Sequence, residues 1–125
     1  MNNSLIAACI IIGWISLLLG SFFTFDQLVR LEHHSHLSDW ENDGRPRGVF
    51  WFPIDYWKNK NFNWFNSSYA HQRLGRIWLF STPQWMKKDE EAMKLVKRFR
   101  ILNFIYLGSI IFGFISIIMV GIFFS

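Results

Sequence analysis

Two uncharged apolar runs constrain this chain more than anything else in it: Leu5 to Phe25 (LIAACIIIGWISLLLGSFFTF) and Ile101 to Phe124 (ILNFIYLGSIIFGFISIIMVGIFF). Each is long enough to cross a hydrocarbon core of about 30 Å as a helix rising about 1.5 Å per residue. The composition agrees, since 51% of the residues are hydrophobic and 19% aromatic, too apolar for an ordinary soluble domain of this size. The predicted fold is therefore an all-α membrane protein. It is a hairpin of two transmembrane helices, residues 5–25 and 101–124, joined by a connecting region over residues 26–100.

A cleaved signal sequence would need a basic start and a short apolar stretch before small residues. MNNS carries no Lys or Arg, and the apolar run continues through Ser21-Phe22-Phe23-Thr24-Phe25, so the first run is read as a retained anchor. Cys9 is the only cysteine, which excludes an intrachain disulfide. All 13 Lys and Arg lie between Arg30 and Arg100. The positive-inside rule then places the connecting region in the cytoplasm and both termini on the other side.

Past Phe25, Leu28, Leu31 and Leu37 keep helical spacing and Asp26 pairs favourably with Arg30 at i,i+4, which extends the first helix to about residue 40. Asn42-Asp43-Gly44 is a stop and a turn. Gly48 to Phe65 is dense in aromatics, suited either to the headgroup level or a partner, or to covering the connecting region's own small core. Ser68 to Phe80 (SYAHQRLGRIWLF) reads as a short amphipathic helix on the cytoplasmic leaflet, with Arg73, Arg76 and Trp78 at the headgroups. Ser81-Thr82-Pro83 is a helix start, and the helix from there enters the second span without a breaker. Lys97, Arg98 and Arg100 meet the headgroups at its entry.

HHSH, residues 33–36, invites a metal or haem reading. His33 lies eight residues beyond Phe25, roughly 12 Å along a continuing helix, at or past the headgroups. His33 and His36 share a face, so a zinc site would need His71, Asp39 or Glu41 to complete it. A haem between the spans would want histidines inside them, and neither span has one. His33, His36 and His71 are thus the candidate ligands, outweighed by the reading of a polar helix leaving a membrane. No cofactor is expected. Glu32, at i,i+4 from His36, would favour the charged imidazole.

No nucleophile elbow, phosphate-binding glycine loop, HExxH or dinucleotide fingerprint occurs. No catalytic residue is assigned, and no small-molecule substrate is evident. The net charge of +4 sits beside the apolar runs, which suits anionic lipids better than nucleic acid. Within the runs, Cys9, Gly13, Ser16, Gly20 and Thr24 form one small-residue face, and Ser109, Gly113 and Ser116 another. Such faces let helices approach closely in lipid.

The chain also resembles universal stress protein B, a family of small two-span bacterial membrane proteins. The likeness lies in the first span, in Asp39 to Phe50 (DWENDGRPRGVF) and in the acidic-then-basic helix Lys87 to Arg100, while Phe52 to Phe65 looks like an insertion. It implies a bacterial inner membrane location and no particular chemistry. The function expected is a small accessory or stabilising subunit of a larger membrane complex, respiratory or transport, with that complex and membrane lipids as partners. The alternatives are an independent stress-associated protein binding the cytoplasmic leaflet, and a metal- or haem-associated electron-transfer subunit.

Overall fold

The structure is a computed structural model that describes residues 2–53 and 63–124. Nine residues of the aromatic segment, 54–62, lie outside the described residues, and with them most of the stretch read above as an insertion. Every described element is a helix. Helix α1 (Asn3–Ser35) begins where the Asn2 side chain accepts the amide of Ser4. No proline interrupts its 33 residues, about 50 Å of helix.

α1 ends at His36 (φ −135°, ψ 54°), and a short α2 (Leu37–Asn42) follows. The helix expected to reach about residue 40 is thus divided. Nothing local breaks it: the His36 ring is held by Asp89, 2.9 Å away, and lies tilted against Trp85 with ring centroids 4.8 Å apart. α2 stops as the sequence indicates. Gly44 has φ +95°, its amide donates to Glu41 O and the Arg45 amide to Trp40 O, which satisfies the last carbonyls of the helix. A left-handed residue here favours glycine.

Helix α3 (Trp64–Phe80) starts four residues before the predicted amphipathic segment, because Asn63 caps it by accepting the amides of Phe65 and Asn66. A single turn, α4 (Gln84–Lys87), begins behind Pro83. The helix was expected to continue from there, but it restarts as α5 (Glu90–Phe124). Asp89 makes the break: its Oδ1 accepts the amides of Glu91 and Ala92, and its Oδ2 faces His36. One carboxylate caps α5 and ties its start to the end of α1.

α1 and α5 are each long and apolar enough to cross a membrane. They pack antiparallel, as successive contacts show. Trp14 meets Gly113, Gly20 meets Leu102, and Ser21 Oγ accepts from Asn103 Nδ2 at 2.7 Å. Phe25 then meets Phe99 (ring centroids 5.8 Å apart), and His36 meets Asp89. The core lies at the far end of this hairpin, where α3 and α4 close over the ends of α1 and α5. Phe25, Leu28, Trp40, Trp78, Met86 and Val96 are its centre.

Trp78 therefore corrects the headgroup assignment: it is 1% exposed, between Phe25 and Trp85. Arg73 and Arg76 share α3 with it but project outward, because the buried positions Ser67, Ala70, Leu74 and Trp78 keep a spacing of three or four.

A Cβ at Gly20 would stand 3.5 Å from Leu102, an ordinary contact. Gly20→Ala should therefore be tolerated. Gly20→Leu must displace Leu102 and is expected to destabilise the hairpin by about 1–3 kcal/mol. Thermal unfolding in mild detergent checks this, with Ile12→Leu, at a position 63% exposed, as the silent control.

Candidate functional site

The polar groups gather where the hairpin's apolar surface gives way to the small helical head. The chain leaving α2 returns along α1, and residues 45–51 are tied on both sides. On the α1 side, Asp26 accepts the amides of Val49, Phe50 and Trp51, the last two at 2.8 and 3.2 Å. Gly48 lies so close to that carboxylate that an added Cβ would overlap it. The pairing with Arg30 read from the sequence gives way to these three amides, which otherwise lack an acceptor.

On the α3 side, Ser67 Oγ donates to Arg45 O, Arg47 Nε donates to Ser68 Oγ, and His71 Nδ1 donates to Arg47 O at 2.8 Å. Arg47 also lies over the Trp64 ring, 4.5 Å from its centroid. Phe50 is thereby held against Phe22 and Phe23 of α1, at ring separations of 6.4 and 5.5 Å.

The three candidate ligand histidines have three separate sets of neighbours. His36 takes Asp89, His71 takes the Arg47 carbonyl, and His33 packs edge-on to Trp40 with ring centroids 4.7 Å apart. Among the described residues no three His, Cys, Asp or Glu side chains converge to hold a metal. The acid beside His36 is Asp89, 53 residues away, and not Glu32. The contact with His36 is the main reason the Asp89 carboxyl sits below its ordinary range. Burial holds the His71 imidazole below the ordinary histidine range, so it is neutral at pH 7 with the proton on Nδ1.

Glu32 is the residue whose place the sequence reading misjudged, as a partner for His36 and not as part of the core. It is fully buried, with the Asp43 carboxyl facing its own. Burial, reinforced by Asp43 and then Asp39, pushes its carboxyl up to about 10, so it is protonated at neutral pH. The signal was present. Ser21, Phe25, Leu28 and Glu32 fall on one helical face, and three of them would be read as core-facing once the fourth is.

Between α1, α3 and α5 lies a groove of about 270 Å³. Phe22, Phe25, Leu79 and Phe99 supply apolar wall, and Gln72, Arg76 and Asn103 supply polar groups. Arg76 is exposed and makes no hydrogen bond or salt bridge among the described residues. The other headgroup candidates differ. Arg73 donates to Asp43 O, and Arg100 to Trp78 O and Thr82 Oγ1, while Lys97 and Arg98 are exposed on α5.

The small-residue faces divide as well. Gly20 and Gly113 face the opposite helix of the hairpin, through the side chains of Leu102 and Trp14. A Cβ at Gly13 would meet nothing within 4 Å, and Cys9 and Ser16 are exposed beside it. The Ser16, Ser109 and Ser116 hydroxyls donate to carbonyls of their own helices, at Ile12, Tyr106 and Phe112.

Compared with protein-family models, curated proteins and solved structures, the chain matches none of them.

Proposed function

We propose that this chain is a small accessory or stabilising subunit of a larger integral membrane complex. One observation carries the proposal: the hairpin leaves part of its own small-residue face uncovered. Gly20 is occupied by α5, whereas Cys9, Gly13 and Ser16 further along the same face are exposed. In lipid, apolar side chains gain nothing by leaving the tails for another helix, so association depends on close backbone approach along such faces. An unoccupied stretch of that kind suits a helix from another subunit. The head fits the role, since its polar groups are engaged in holding α1, α3 and α5 together.

In this reading the connecting region faces the cytoplasm of a bacterium and both termini face away. Support for the orientation comes from the confinement of all 13 Lys and Arg to Arg30–Arg100. A second reading, an independent protein bound to the cytoplasmic leaflet, draws on α3. Phe65, Tyr69, Ile77 and Phe80 are exposed there, 84%, 68%, 42% and 80%, beside Arg73 and Arg76.

Copurification in mild detergent with mass spectrometry separates the two. A defined set of membrane subunits should accompany the wild type, and Gly13→Leu should lower their yield severalfold while leaving the chain inserted and folded. Purification of the chain alone, or equal yields from both forms, would sink the subunit reading. Impermeant labelling of single cysteines on intact cells, in a Cys9→Ser background, should mark the termini and spare the head. The reverse pattern would invert the orientation.

A further inference from the structure

The groove between α1, α3 and α5 combines features that lipid recognition requires. We propose that it is a binding site for the headgroup of an anionic phospholipid. The inference rests on the membrane placement proposed above, and not on the existence of partner subunits.

Depth is the first argument. The groove begins at Ser21 and Asn103, inside the ends of the two uncharged runs, and reaches His71, Gln72 and Arg76 on α3. From Ser21 to Phe25 is about 6 Å along the helix axis. The cavity therefore straddles the level at which acyl chains give way to glycerol and phosphate.

Charge is the second. Among the described residues Arg76 is the only fully charged one lining the groove, and no Asp or Glu among them lines it. His71 is neutral at pH 7 and adds no second charge. The basic residues nearest in character, Arg73 and Arg100, already donate to protein oxygens, whereas Arg76 keeps its fork open. A guanidinium can bind phosphate through two parallel hydrogen bonds, which an ammonium does not match. The amides of Gln72 and Asn103 add neutral donors of the kind that glycerol and ester oxygens accept.

Size is the third. At about 270 Å³ the groove is below the roughly 300–1,000 Å³ usual for a complete small-molecule site. It admits a phosphoglycerol group and leaves the acyl chains along the outer surface of α1 and α5.

The test uses the full chain, delipidated in mild non-ionic detergent and titrated in mixed micelles, with bound lipid read by native mass spectrometry. Phosphatidylglycerol should bind saturably, one per chain, at least about tenfold tighter than phosphatidylcholine with the same acyl chains. Free glycerol phosphate at the same concentration should not displace it. Arg76→Gln should weaken phosphatidylglycerol binding about tenfold, in line with loss of a charge-assisted pair. Gly75→Leu keeps the charge but fills the groove, since a Cβ there already stands 3.8 Å from Phe25, and it should lose the lipid equally. Lys94→Gln, on exposed α5 surface outside the groove, should change affinity less than about twofold. Equal affinity for the two lipids would overturn the proposal. So would full binding by Gly75→Leu, which would mean that diffuse charge attracts the lipid, or displacement by glycerol phosphate, which would mean a soluble anion site. Micelles have no sidedness, so an inverted topology in the labelling experiment leaves this result intact.

Discussion

Gly48→Ala is expected to destabilise the head by about 3–5 kcal/mol, although it adds a single methyl group. The added Cβ would fall on the Asp26 carboxylate, and neither side can retreat cheaply. Asp26 belongs to the continuous helix α1, and its oxygens accept the amides of Val49, Phe50 and Trp51. Hydrogen bonds to a charged acceptor contribute about 1.5–3 kcal/mol each, and displacing the carboxylate weakens all of them together. Released residues 48–51 would also let Phe50 leave Phe22 and Phe23. Asp26→Ala should be similarly damaging, because it strands the same amides. The decisive measurement is the double-mutant cycle, followed by thermal unfolding in detergent. With Asp26 already alanine, Gly48→Ala has no carboxylate to strike and should cost less than about 1 kcal/mol more. Additive losses, or a Gly48→Ala protein as stable as the wild type, would remove the steric argument.

Glu32→Gln should do the opposite and stabilise the protein, increasingly so as pH rises. The carboxyl ionises at about 4.5 when unfolded and at about 10 when folded. Between these values the unfolded chain releases a proton that the native state retains. Native stability from this group is thus fully present below about pH 4.5. It falls by about 1.4 kcal/mol per pH unit until about pH 10. Glutamine is uncharged throughout and of similar shape, so it escapes the loss. The variant should exceed the wild type by about 3 kcal/mol at pH 7, and the two should converge near pH 4.5. Other titrating groups are common to both proteins and cancel in the difference. Parallel stability curves from pH 5 to 9 would show that Glu32 is ionised or solvated in the native state.

Sequence and structure agree most closely where the physics is local. The charge-free runs carry their own evidence of two long apolar helices, because a helix satisfies its backbone internally and length and hydropathy are read residue by residue. The stop at Asn42-Asp43-Gly44 was legible for the same reason, since glycine adopts the left-handed turn at no steric cost. The breaks at His36 and Lys88–Asp89 were not legible. The first coincides with a contact between residues 53 positions apart, His36 and Asp89, and the second adds to that contact the local cap that Asp89 Oδ1 makes on the amides of Glu91 and Ala92.

The candidate site divides in the same way. The basic character of α3 and the entry to α5 could be read directly, as could the small residues of both apolar runs. Which of them face inward could not. Trp78 belongs to the core and Arg76 to an open groove, because α3 turns Leu74 and Trp78 toward Phe25 and Phe99. Gly20 lies within the hairpin and Gly13 outside it, because Leu102 reaches one and α5 leaves the other bare. By itself the sequence determined the element type, the apolar lengths and the segregation of charge, all of which follow from short-range spacing and composition. Only the tertiary structure decided that Asp26 serves the loop, that Glu32 is sealed from water and that a groove opens at the foot of the hairpin. Each of these depends on burial, and burial is set by which distant segment comes to lie on top.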